Sequence, residues 1–74
     1  MNGLQCRMAR AALRWGVRDA ANKAGVATST IQRIENDLDV RVSSVRAVQE
    51  AFEAAGVEFM DAPAPGVRVH VTRH

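Results

Sequence analysis

Cysteine, histidine and aromatic residues are scarce in this chain: one Cys, two His, one Trp, two Phe and no Tyr among 74 residues. A lone Cys6 excludes an internal disulfide. His70 and His74 stand alone in the tail, and no cluster of His, Cys and acidic residues has metal-ligand spacing, so no metal and no cofactor are expected. There is no carboxylate pair, no nucleophile beside a base and no Gly-rich phosphate loop, which argues against an enzyme. Apolar runs all fall short of the ~18 residues of a membrane span. Met1-Asn2-Gly3-Leu4 leads into an Arg-bearing segment rather than the apolar core of a signal peptide. These shortages point to a cytoplasmic protein with no membrane partner, in which Cys6 is reduced and serves packing.

A chain of 74 residues forms one small domain and buries little apolar surface. Domains of this size often need a disulfide, a metal or a partner copy for firm stability. With the first two missing, self-association into a homodimer is the expectation.

Charge is present but segregated. Residues 1–33 carry Arg7, Arg10, Arg14, Arg18, Lys23 and Arg33 against Asp19 alone, a net +5. Residues 34–61 carry Arg41 and Arg46 against seven carboxylates, a net −5, and Arg68 and Arg73 in the tail restore the overall +2. A basic front and an acidic back suit a protein that lays one face on a polyanion.

Hydrophobic periodicity divides the chain into four helices and a hairpin. The first helix spans about Leu4 to Arg14, with Cys6, Ala9 and Leu13 on one side and Arg7, Arg10 and Arg14 on an adjacent one. Trp15-Gly16 ends it, Gly16 allowing the turn, with Trp15 expected in core or turn packing. The second helix runs from Val17 to Ala24, with Asp19 opposing the positive helix end. Gly25 gives the next turn its backbone freedom and Val26 plugs the core beneath it. The third helix, Thr28 to Asn36, begins with hydroxyl residues able to cap it. After a link containing Arg41, Ser43 or Ser44 caps a fourth helix ending near Ala55, with Val45, Val48, Phe52 and Ala55 as its inward stripe.

From Gly56 the period becomes two. Val57 and Phe59, then Val67, Val69 and Val71, alternate with polar residues around Asp61-Ala62-Pro63-Ala64-Pro65-Gly66, which predicts a β-hairpin. Two strands alone are marginal, so the hairpin must pack on the helices or pair with a copy of itself. Pairing through these five residues would supply the dimer. The organisation is thus a helical domain over 1–56 and a hairpin over 57–74.

The most informative stretch is Gly25-Val26-Ala27-Thr28-Ser29-Thr30-Ile31-Gln32-Arg33-Ile34-Glu35-Asn36. Ile31 and Ile34 can face inward while Thr28, Ser29, Gln32 and Arg33 face out. Hydroxyl, amide and guanidinium groups at the start of an exposed helix suit the donor and acceptor edges of the DNA major groove. Together with Asp19 to Ala24 the layout is helix, tight turn, helix.

Met8-Ala9-Arg10, Gly25-Val26 and Ser29-Thr30-Ile31-Gln32-Arg33-Ile34-Glu35-Asn36, in register, make residues Cys6 to Phe52 resemble the Cro/C1-type helix-turn-helix domain, the XRE family. The remainder, from Gly56 through Val69, resembles the strand tail of a bacterial subgroup of small regulators. The resemblance implies a mainly α, lambda-repressor-like fold and a homodimeric transcription regulator, a repressor by preference, on a palindromic operator in double-stranded DNA. It maps Thr28, Ser29 and Arg33 to base edges, with Gln32 nearby. It maps Arg41 and the fourth-helix start at Ser43 and Ser44 to phosphates, with Arg14 as a further phosphate candidate. Arg10 and Glu35 fall where the family places a partly buried ion pair, a structural brace.

Three positions depart from the family pattern. Val17 replaces the usual phosphate-clamping Gln, with Arg18 beside it as a substitute contact. Ala27 replaces the usual Ser or Thr, and Ala20 the usual Leu. Val17 and the acidic segment 34–61 also fit a second function, a protein-interaction module such as an antitoxin or antiactivator that keeps the helix-turn-helix fold. The polar face of the third helix speaks against it, since a partner-binding helix exposes apolar anchors.

Overall fold

The computed structural model describes residues 1–70. Val71, expected in the pairing strand, lies outside the described residues, as do Arg73 and His74. The fold is mainly α, with helices α1 (Gly3–Leu13), α2 (Val17–Ala24), α3 (Thr28–Glu35) and α4 (Val42–Ala54) followed by strands β1 (Val57–Met60) and β2 (Gly66–Val69). The strands pair antiparallel, Val57 opposite Val69 and Phe59 opposite Val67.

Each helix contributes its small or branched residues to one core: Cys6 and Ala9, Ala20 and Ala21, Ile31 and Ile34, Val48 and Phe52, closed by Val57 of β1. Phe52 anchors it, fully buried between Trp15 at 5.6 Å, with the rings stacked, and Phe59 at 6.1 Å, with the rings tilted. Trp15 therefore packs against the core. The alanines of α2 let that helix lie close to both α3 and α4.

Asn2 caps α1: its Oδ1 accepts from Gln5 N at 2.8 Å, and Gln5 Oε1 accepts from Asn2 N at 2.9 Å. Gln5 is 1% exposed, and its Nε2 also donates to Met60 O at 2.9 Å and Gly66 O at 3.2 Å. One amide thus closes the start of α1 and ties it to the hairpin. The start of α1 also abuts the end of α3. A Cβ on Gly3 would stand 2.7 Å from the carbonyl oxygens of Ile34 and Glu35, so only glycine fits there.

Several local expectations need correction. The left-handed residue after α1 is Arg14 (φ 57°), whereas Gly16 has an ordinary φ of −74° and instead receives the Asp19 carboxylate on its N–H at 2.8 Å. Gly25 does use its freedom, with φ 69° in the α2–α3 turn. Thr28 and Ser29 do not cap α3, because the cap position falls one residue earlier, on Ala27. Ser43 and Ser44 do not cap α4 either: the helix starts at Val42 with Arg41 in the cap position, which places both hydroxyls inside its first turn.

The hairpin packs on the chain's own helices. Strand alternation puts Val57, Phe59, Val67 and Val69 on one face, and that face lies on the helices, β2 towards α1 and β1 towards α4. Val57 is 3% exposed and the other three are half-buried against the core. Of the two roles expected for these residues, packing on the helices is the one the fold displays, against the aromatic ring of Phe52 and beside α1.

Candidate nucleic-acid interface

α3 has two chemically different sides. Ile31 and Ile34 face inward, 0% and 5% exposed. Thr28, Ser29, Gln32 and Arg33 lie on the opposite side and are all exposed. Because Ala27 holds the cap position, the Thr28 and Ser29 hydroxyls are left without an intramolecular partner among the described residues. The Gln32 side-chain amide likewise has no partner among the described residues, while its backbone oxygen accepts from Asn36 Nδ2 at 2.9 Å. Two hydroxyls and an amide therefore face outward from a helix whose other side is immobilised in the core.

Arg33 is placed differently from its neighbours. Its Nε and Nη2 donate to Asp39 O at 3.2 and 2.9 Å, folding the guanidinium back over the α3–α4 link. One edge of the guanidinium thus already binds a carbonyl of the chain, while Nη1 and the second Nη2 hydrogen have no partner among the described residues. Arg33 lines a cleft with Thr30, Asp39, Val40, Arg41 and Ser44, where the link enters α4.

This cleft unites three of the predicted residues, Arg33, Arg41 and Ser44, and adds Thr30, which sequence reasoning passed over. No side chain caps α4, and the N–H groups of Val42 and Ser43 have no protein acceptor among the described residues. Unpaired N–H groups at the start of a 13-residue helix, flanked by two guanidinium groups, make a favourable setting for an anion. Ser43 is exposed beside it. Arg14, at the end of α1, and Arg18, in the first turn of α2, are exposed but lie outside the cleft.

Behind the polar face lies a buried charge cluster. Arg10 Nε and Nη2 donate to Glu35 Oε2 and Oε1, at 2.5 and 2.8 Å, and Arg10 Nη1 donates to Trp15 O at 3.2 Å. Arg7 Nη2 donates to Glu35 O at 3.0 Å, and the Cys6 thiol donates to Glu35 Oε2 at 3.4 Å. The Glu35 side chain is 8% exposed. Burial by itself pushes its carboxyl up, but the hydrogen bonds and charge of Arg10, aided by Cys6 and Arg7, prevail and hold it below its ordinary value. The bond to Glu35 raises Arg10 further. Burial, then the adjacent carboxylate, pushes the Cys6 thiol up to about 12, which keeps it a neutral donor.

Gln5, Gly3, Arg7 and Asp37 were not singled out from sequence. Asp37 Oδ1 accepts from Gly3 N at 3.0 Å, adding a second tie between the α1 start and the α3 end. Only Gln5 left a local signal, the Asn2-to-Gln5 spacing of a capping box. The other three act across 28 residues or more, and no local pattern records such contacts.

Comparison with protein-family models and with curated proteins finds no match for this chain.

Proposed function

We propose that this chain is a sequence-specific, double-stranded-DNA-binding transcription regulator, acting as a homodimer on a palindromic operator in the cytoplasm and carrying out no catalysis. The observation that carries the reading is the outer side of α3. Thr28, Ser29 and Gln32 are exposed, and their side chains have no partner among the described residues, on a helix held from behind by Ile31, Ile34 and the Glu35 cluster. Such groups match base edges in the major groove, and a rigid backing limits the ordering cost of binding.

In this reading Gln32, Thr28 and Ser29 meet bases. Arg41, Ser43, Ser44 and the α4 N–H groups hold phosphates, with Arg14 and Arg18 as outlying cations. Arg33 is anchored on Asp39 O by one edge, and in this position it adds charge to the phosphate cleft while its free N–H groups can still meet a base. A two-fold dimer would set its recognition helices about 34 Å apart, one turn of DNA.

Selection of bound sites from randomised duplexes tests the proposal. A palindromic consensus is the expected result, with affinity falling on salt addition at a log–log slope near −5 if roughly six phosphates are neutralised. Binding that shows no sequence preference, or none at all at low salt, would overturn the reading and favour a protein partner.

A further inference from the structure

One side of α4 is left over once the core is built. Val48 and Phe52 point inward, while Val42, Val45, Arg46, Gln49, Glu50 and Glu53 line a shallow groove along the helix. Val42, Arg46, Gln49 and Glu53 recur at i, i+4, i+7 and i+11, the spacing of a helix–helix seam. Val42 is 73% exposed and Leu38 is 52% exposed. Val45 borders both the α4 groove and the neighbouring depression that Leu38 lines. Two of the three large apolar residues exposed among the described residues thus flank Val45.

We propose that this side of α4 docks a second copy of the same chain, antiparallel across a two-fold axis. The order of charges selects the occupant. Arg46 lies in the first half of the stripe, and Glu50 and Glu53 in the second. Antiparallel pairing about an axis level with Val48 sets Arg46 of each copy against Glu50 of the other, so a single sequence is its own complement. Because the interface is isologous, the contact occurs twice. A parallel pairing would oppose like charges, and a polyanion would meet Glu50 and Glu53. Arg46 makes no ion pair within the chain among the described residues, and Glu50 makes none either. The hairpin's apolar face, the other candidate, is already used against the helices. The inference deepens the operator reading by locating its two-fold axis, yet assembly can be measured without DNA.

Sedimentation of the full chain in the absence of DNA is the test. A species of twice the 8.0 kDa chain mass is expected. Arg46→Glu should weaken the dimer by at least about tenfold, since the reversal acts at both symmetric contacts, and Glu50→Arg should do the same. The double variant Arg46→Glu with Glu50→Arg should return to within about threefold of the parent, because it restores opposite charges in swapped order. Val42→Asp should give monomer. Circular dichroism should show all four variants folded, as these side chains are exposed. A parent that stays monomeric at high concentration, a dimer indifferent to these changes, or a charge swap that fails to rescue would each overturn the proposal. A monomeric parent that still selects a DNA consensus would sink the α4 interface alone. A dimer obeying the charge swap but selecting no sequence would sink the operator reading alone.

Discussion

The two sides of α3 are built on opposite terms. On the inner side every polar group near Glu35 is engaged, by Arg10, Arg7 and Cys6, and the apolar groups are sealed in the core. On the outer side Thr28, Ser29 and Gln32 carry side-chain donors and acceptors with no partner among the described residues. A helix fully engaged behind and unsatisfied in front resembles a binding element more than a structural strut. The difference also separates the roles of residues one or two positions apart. Changes on the inner side should act on folding, and changes on the outer side on recognition.

The largest effect should come from cutting the inner side. Glu35→Ala strands Arg10 in a partly buried position and should lower unfolding free energy by about 3–5 kcal/mol, measurable by denaturant titration. The same cluster sets an acid limit. Because folding lowers the Glu35 pKa, its contribution is fully present above the ordinary value of 4.5 and is lost as pH falls through the lower folded value. Thermal midpoints of the parent should therefore drop on acidification below that point, and Glu35→Gln should flatten this part of the profile. If Glu35→Ala melted like the parent, the brace would be no brace.

Next in size is Gln5→Leu, which removes the partner of Asn2 N and of the Met60 and Gly66 carbonyls. It should cost about 1–3 kcal/mol for buried groups left unpaired, and hydrogen exchange should rise at the hairpin as well as at the start of α1. Exchange confined to α1 would show that the hairpin does not depend on this tie.

On the outer side, Gln32→Ala should leave the melting midpoint almost unchanged and reduce discrimination at one operator base pair by about 1–3 kcal/mol. Arg33→Ala distinguishes its two roles. If Arg33 serves only the phosphate cleft, specific and non-specific DNA should lose affinity alike. A loss confined to one base position would mean that its remaining N–H groups read a base. Smallest of all, Arg41→Ala should weaken every sequence equally and reduce the magnitude of the salt slope by about one.

Periodic features were legible without coordinates. The bounds of α2 follow from its flanking glycines, Gly16 and Gly25, and the inward residues of α3 and α4 follow from 3.6-residue spacing. The hairpin follows from the change of period after Gly56. Caps were read less well. Ser43, Ser44, Thr28 and Ser29 are good capping types, but the cap positions fall earlier, on Ala27 for α3 and on Arg41 for α4. The approach of Gly3 to the α3 carbonyls and the four hydrogen bonds of Gln5 left almost no trace, since they depend on where distant segments meet.

What the sequence determined alone is therefore the set of elements and the face each turns inward, because side-chain periodicity and local backbone preference act within a few residues. Only the tertiary structure decided how those elements use their remaining groups. It drew the hairpin valines onto the protomer's own core, turned Arg33 back to Asp39, and left one side of α4 uncovered. Each of these outcomes follows from burial and hydrogen-bond geometry between segments far apart in the chain, which local pattern does not encode.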